Sequence, residues 1–256
     1  MKRRELADLL KKLYDEQLKI RYEEYLYLQS RTEVGIGRRI DAFLRYEQFL
    51  KPGKILDWGC KHSIDGCLVK YTLGEKAEIY GCDVGENDFA ALHGYAGLKL
   101  SQLNHPSKLP YDDNTFDVVI GSGVLEHVPN DSESLKELYR ILKPGGRLII
   151  TFLPNALSYT ETLVSAMKGP AHKRVYRASD IRHEFLHHGF LPLLVGYHQV
   201  TPSLSSLGSA ALVGDGQMVK SLIAFLYKFN QVLEKIWPIK MVAANLLIIA
   251  DKVEHF

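Results

Sequence analysis

A chain of 256 residues, 46% hydrophobic and 24% charged, is composed like a folded globular protein and unlike a disordered or fibrous one. Its length has room for one α/β domain with additions or for two small domains. A net charge of +2 without a long basic block gives no footprint of a nucleic-acid binder, and no apolar run reaches the roughly 18 residues that span a bilayer.

The N-terminal stretch MKRRELADLLKKLYDEQ is charged throughout and lacks the apolar core and small-residue cleavage site of a secretory signal, so a cytoplasmic chain is expected. Leu6, Leu9, Leu10 and Leu13, then Leu18, Tyr22, Tyr25 and Leu26, recur near i, i+3, i+4 and predict helix. A break at Gly35-Ile36-Gly37 is expected before a second helix over 38–50, with Ile40, Phe43, Leu44 and Leu50 on its apolar stripe. Pro52-Gly53 ends it. From there strands and helices alternate. KILDW is a strand, a helix follows through Leu68, Val69 and Tyr71, and EIYGCDV is a second strand. LKLSQL is a short third strand and FDVVIGSG a fourth. SESLKELYRIL is an amphipathic helix, and KPGGRLIITFLP is a turn leading into a buried strand. Such alternation predicts an α/β fold, a parallel sheet covered by helices on both faces.

Beyond residue 154 the pattern loosens. SDIRHEFLHHGF predicts a helix capped by Ser179 or Asp180 and closed by Gly189. LPLLVGYHQV reads as a strand, TPSLSSLGSAALVGDGQ as a loop, KSLIAFLYKFNQVLEKIW as an amphipathic helix stopped by Pro238, and NLLIIADKV as a last strand. Cys60, Cys67 and Cys82 are odd in number and form no CxxC pair, so reduced buried thiols are expected. His183, His187 and His188 have helical spacing but no companion metal motif, and no metal is expected.

Ligands of open parallel sheets bind at the carboxyl ends of strands. The first strand ends in Asp57-Trp58-Gly59-Cys60, where glycine lets backbone approach a ligand closely. The second ends in Asp83, whose carboxylate can accept bonds from both hydroxyls of a ribose. A ribose-bearing cofactor is expected. GxGxxG is absent, however, and Lys61-His62 would crowd a pyrophosphate. A cofactor without phosphate asks less of the loop.

ILDWGC, YGCDV, LPYDDNTFDVVIGSGVLEHV and LKELYRILKPGGRLIITFLPN follow in order over about 53–154. Together they resemble the motifs of class I S-adenosylmethionine-dependent methyltransferases, in the type 11-like small-molecule branch that includes ubiquinone/menaquinone-type enzymes. The resemblance implies a Rossmann-like, doubly wound, seven-stranded sheet, mostly parallel with an antiparallel last strand. N-terminal helices would occupy 1–52 and the cofactor-binding domain 53–256. A lid would lie at about 155–190 and the last strand within 241–256.

The resemblance also assigns residues. Asp57, Gly59 and Cys60 would shape the pocket for the methionine part of S-adenosylmethionine. Asp83 would bind the ribose, with Val84 near the adenine. Asn104 or His105 would reach the adenine edge, at the spot where the family often has an acid. Gly121 and Ser122 would line the methionine side, and Leu125-Glu126-His127 would begin the next helix. Two features depart from the family. Its loop reads Gly-Cys-Gly-x-Gly where this chain has Gly59-Cys60-Lys61-His62-Ser63, and the 26 residues from Asp57 to Asp83 are a long spacing. Lys61 would either point to solvent or face the cofactor carboxylate.

A hydroxyl nucleophile usually needs a base, and His127 is the first candidate, set against a histidine that fixes the loop. Tyr159, Glu161, His172, Arg174, Tyr176 and Arg177 form a polar, aromatic group in the lid that would grip a phosphate or carboxylate. The lid loosely resembles methyltransferases of bacterial surface-saccharide pathways, implying O-methylation of a sugar or other small hydroxylated acceptor, anionic or glycan-linked. The alternatives are a lipid or quinone-like ring, with the helix SLIAFLYKFNQVLEKIW touching a membrane, and a non-catalytic cofactor- or partner-binding module. No nucleic-acid partner is expected, and the oligomeric state is left open.

Overall fold

The computed structural model describes residues 2–23, 33–85, 88–105, 107–160, 162, 172–200, 225 and 228–254, with main chain alone at 33–35. Helix α1 (Lys2–Ile20) buries Leu6, Leu10, Leu13, Tyr14 and Gln17 along one face. Tyr22 lies beyond its end and is exposed, and Tyr25 and Leu26 fall outside the described residues. Helix α2 (Glu33–Tyr46) runs straight through the expected break at Gly35–Gly37. A Cβ on Gly37 would stand 2.8 Å from Arg3 Nη2 of α1, so this glycine admits a neighbouring helix instead of ending its own. Arg3 Nε donates to Asp41 Oδ1 at 2.9 Å across the same contact.

The alternating segments form β1 (Gly53–Trp58), α3 (Ile64–Leu73), β2 (Ala77–Asp83), α4 (Ala90–Ala96), β3 (Lys99–Gln102) and β4 (Phe116–Ser122). They continue as α5 (Asp131–Ile141), β5 (Leu142–Pro154), α6 (Ala178–His187), β6 (Phe190–His198) and β7 (Asn245–Lys252). The seven strands lie in the order β3-β2-β1-β4-β5-β7-β6. Neighbours from β3 to β5 pair parallel, and β7 enters antiparallel between β5 and β6. This is the doubly wound sheet expected.

Side chains alternate across it with the period of two that strands impose. Ile55, Ile120, Ile149 and Ile249 join Leu6, Leu10, Phe43 and Leu68 on the α1–α4 side. Leu56, Val119, Ile150 and Ile248 join Leu135, Leu138, Ile181 and Phe185 on the α5–α6 side. The N-terminal helices thus share one core with β1 and α3. Gln17, buried among these apolar groups, is fully used. Its Nε2 donates to the Asp88 carbonyl at 3.0 Å, and its Oε1 accepts from Ala91 N–H at 3.0 Å in the first turn of α4.

Two local expectations are corrected. Helix α6 starts after Arg177 with no side-chain cap, because Ser179 Oγ donates to Asp180 Oδ1 instead of serving the main chain. The residues Leu125-Glu126-His127 do not begin a helix. They lie in a turn, and α5 starts after Asn130, whose side chain accepts from Glu133 N–H.

Strand order reverses between β1 and β4, which pair directly. The carboxyl ends of those two strands open the crevice that such a reversal leaves.

Candidate functional site

A cleft of about 400 Å³ opens there, bounded by the ends of β1, β2 and β4 and by α2. One wall is the turn after β1. Gly59 and Cys60 donate their N–H groups to the Cys82 carbonyl at 2.8 and 3.1 Å, tying the turn to β2. Asp83 at the end of β2 receives Lys61 N–H on Oδ2 and Gly85 N–H on Oδ1, both at 3.0 Å. Main-chain donors therefore fix the carboxylate plane that faces the cleft.

The unusual residues of this turn follow the path a glycine-rich loop would take. Gly59 has φ +68°, and a Cβ there would stand 2.4 Å from Val124. Lys61 (φ 38°) and Ser63 (φ 53°) also occupy the left-handed region, at the two positions where the family has glycine. Ser63 has a compensating contact: its Oγ donates to Asp57 Oδ2 at 2.9 Å, beside Gly66 N–H at 3.3 Å. Between them His62 turns inward. It shares a 3.1 Å hydrogen bond with the Tyr14 hydroxyl of α1, its ring lies 4.2 Å from that of Phe89, and burial depresses its pKa to about 3. Cys60, Cys67 and Cys82 are all free and buried, and burial pushes the Cys82 thiol up to about 12.

The floor carries charge from three elements. Asp57 and Asp65 are both buried, and burial together with Asp65 pushes the Asp57 carboxyl well above its usual range. Tyr46 of α2 donates its hydroxyl to Asp65 Oδ1. Arg39, two turns earlier on α2, places Nη1 3.7 Å from Asp65 Oδ2 and donates to the Ser122 carbonyl at 3.4 Å. Its guanidinium lies 4.9 Å from the centre of the Phe152 ring, held at φ +59° where the β5–β7 ladder slips. Arg39 and Asp65 were missed in the sequence. Nothing in a helical Arg-Arg pair or in an acid after the loop marks them until α2 is laid over β1.

The opposite wall is the turn over residues 123–129, after β4. His127 is largely exposed there, with Nε2 3.7 Å from Glu126 Oε1. Glu126 is buried, its Oε2 has no hydrogen-bond partner among the described residues, and burial raises its pKa to about 7. Arg174 and Tyr176, expected to grip substrate, hold this turn instead. Arg174 donates to the carbonyls of Leu125, Val128 and Pro129 at 3.1–3.3 Å, and the Tyr176 hydroxyl donates to Leu125 O at 3.3 Å. A fork of guanidinium donors suits a run of turn carbonyls as well as it suits an anion. His172 comes near, its ring 6.4 Å from that of His127.

The remaining expected residues divide. Asp57, Gly59, Cys60, Asp83, Val84, Ser122 and His127 line one cleft. Gly121 does not: it faces Trp58 across the β1–β4 pair, where a Cβ would meet the indole at 2.7 Å. Asn104 and His105 are exposed and outside the lining, and His105 Nδ1 accepts from Ser107 N–H. Leu103 takes their place at the wall. Tyr159 donates its hydroxyl to Val200 O at 2.8 Å, and Arg177 is exposed at the start of α6. Glu161 lies outside the described residues.

Residues 56–150 match the family described as a methyltransferase domain. Demethylmenaquinone methyltransferase of Bacillus mycoides is 36% identical over 128 residues, which are 46% of this chain and 54% of that protein. The chain spans about half the length of that relative. A S-adenosylmethionine-dependent methyltransferase of Thermotoga maritima, described as a possible histamine N-methyltransferase, superposes with a TM-score of 0.59, covering 93% of this chain and 98% of that one at 17% identity. Phosphoethanolamine N-methyltransferase 2 of Haemonchus contortus, solved with S-adenosyl-L-methionine, gives 0.59 over 94% and 60% at 16% identity. Likeness at such identities establishes the fold. Residues 56–150 thus match a methyltransferase-domain family, and the chain has the fold of these solved S-adenosylmethionine-dependent methyltransferases.

The cleft suits that cofactor. Asp83 presents a fixed carboxylate for a pair of ribose hydroxyls, Val84 and Leu103 offer apolar contact for a flat base, and Arg39 offers a countercharge for a carboxylate.

Proposed function

We propose that this chain transfers a methyl group from S-adenosylmethionine to a small ring acceptor of the quinol type. The observation that carries the reading is the pairing, across one cleft, of the main-chain-locked Asp83 with the Glu126–His127 turn. Relatives named demethylmenaquinone methyltransferase support a ring acceptor over a saccharide. So does the lid, since Arg174 is committed to turn carbonyls and not held ready for a phosphate or carboxylate.

When bound, S-adenosylmethionine supplies an electrophilic methyl carbon on a sulfonium. The work of the protein is alignment, exclusion of water and management of one proton. Asp83 and the Gly59 turn seat the ribose end, and Arg39 neutralises the carboxylate end. His127 meets the acceptor at the cleft wall and takes its proton at Nε2. Glu126, its carboxyl raised to about 7 by burial, has Oε1 3.7 Å from that same nitrogen and, when ionised, offsets the charge the ring gains. Arg174 and Tyr176 hold the turn that carries both.

Two measurements test this. Calorimetry should find S-adenosylhomocysteine bound by the wild type, and absence of binding would defeat the cofactor assignment. Labelled methyl transfer should then favour demethylated quinols over nucleotide sugars. Preference for the sugars would restore the saccharide reading, and no transfer to any acceptor would leave a non-catalytic binding module.

A further inference from the structure

The segment leading into β7 turns two polar side chains inward and its aromatic ones outward. Residues 228–233 are helical, and Asn230 and Glu234 point inward. Asn230 Oδ1 accepts Val200 N–H at 2.7 Å, Glu234 Oε1 accepts Gln199 N–H at 2.6 Å, and Glu234 Oε2 accepts from Arg45 of α2. Arg45 Nε also donates to His198 Nδ1 at 3.1 Å. Outward lie Phe225, Phe229 and Val232 on the helical part and Ile236 and Trp237 in the turn that follows, with exposures of 62, 45, 56, 41 and 73%. The Phe225 and Phe229 rings are stacked at 5.9 Å.

A surface helix of a globular protein ordinarily turns such a stripe to the core. Here Asn230 and Glu234 take inward positions with hydrogen-bonded polar groups, and among the described residues nothing covers the apolar ridge.

We infer that this ridge docks on the surface of an anionic lipid bilayer. The charge around it selects that occupant. The segment's acid, Glu234, is turned inward and paired with Arg45, while Lys228 and Lys235 are exposed beside the ridge. A ridge of Phe, Val, Ile and Trp flanked by lysines is the composition of an interfacial helix. A second copy of the chain docked ridge to ridge would bring the lysines of the two copies together.

The placement suits access to a lipid-dissolved molecule. His198 ends β6, which runs parallel to β1, so the ridge and the cleft share the carboxyl edge of the sheet. The anchor also abuts the cleft wall: the His198 ring lies 5.8 Å from Phe152, which in turn carries Arg39. The inference assumes nothing about the acceptor.

The test is flotation of the full chain with vesicles of phosphatidylcholine containing phosphatidylglycerol, and with phosphatidylcholine alone. Binding is expected to the anionic vesicles and to weaken at least tenfold from low to high salt. Phe229→Asp with Trp237→Asp, or Lys228→Glu with Lys235→Glu, should each reduce it at least tenfold while affinity for S-adenosylhomocysteine stays unchanged. Brominated lipid checks the wild type without a variant. The only other tryptophan, Trp58, is buried, so quenching reports Trp237. Failure to float at low salt, or absence of quenching, overturns the inference. So does a dimer that Trp237→Asp converts to monomer, which assigns the ridge to a second copy. A large fall in melting temperature on Trp237→Asp also overturns it, by showing that the chain itself covers the ridge.

Discussion

The two walls of the cleft are held by different means. The turn after β1 owes its shape to main-chain bonds, from Gly59 and Cys60 to Cys82 and from Lys61 and Gly85 to Asp83. The turn after β4 is held by side chains reaching from about fifty residues away, Arg174 and Tyr176. A wall made of main chain tolerates exchange of side chains, which is how Lys61 and Ser63 stand where the family has glycines. A wall clamped by remote side chains does not share that tolerance.

The largest effect should come at Asp83, the carboxylate that the main-chain wall holds toward the cleft. On the proposed function, Asp83→Ala would remove two charge-assisted hydrogen bonds to a ribose, and it unpins the loop. It should weaken S-adenosylhomocysteine by about 4 kcal/mol, near three orders of magnitude in calorimetry. An effect below tenfold would show that the loop amides alone seat the cofactor.

Glu126 tests the other wall through pH. Burial lifts its carboxyl from 4.5 to about 7, so the folded protein holds this proton more tightly than the unfolded chain. The resulting stability is fully present below about pH 4.5 and is lost as pH rises through about 7. That is about 3.5 kcal/mol at about 1.4 per pKa unit. Glu126→Gln should flatten this part of the profile, read by urea unfolding at pH 5 and pH 8. If the wild-type and variant profiles run parallel, the carboxyl is not perturbed.

Arg174→Ala sharpens the contrast between the walls. It should lower kcat by about tenfold, as expected when a positioned group is loosened, while S-adenosylhomocysteine affinity stays constant. Equal losses in both would mean that Arg174 serves the whole cleft. The smallest effect falls on the loop. Lys61→Gly relieves a left-handed lysine and should stabilise by about 0.5 kcal/mol, the strain released exceeding the added chain entropy. Ser63→Gly should be near neutral, because relief there is offset by loss of the Asp57 bond.

Much of the main-chain wall was legible in the sequence. Strand-end residues are displayed by the sheet at fixed positions, so Asp57, Gly59, Asp83 and Ser122 follow once the strands are recognised. The clamped wall was half legible. His127, expected as the base, does line the cleft, yet Arg174 and Tyr176 carried no sign of whether they would face a ligand or a carbonyl. Gly121 shows the same limit: a glycine at a strand end reads alike whether it yields to a ligand or, as here, to the ring of Trp58.

By itself the sequence determined the seven strands and the helices on both faces of the sheet, though not the short helix α4 between β2 and β3. Periodicity and turn residues act locally, and they need no partner to be read. Only the tertiary structure decided what the N-terminal helices bring. Arg39 reaches the cleft, Tyr14 holds His62 of its turn, and Gln17 ties α1 to the start of α4, because α1 and α2 lie across the β1 side of the sheet. It also decided that the helix before β7 keeps its polar residues inside. Hydrophobic spacing tells that a helix has two faces, whereas which face turns inward depends on the hydrogen-bonding groups waiting there, here Arg45 and the main chain of Gln199 and Val200.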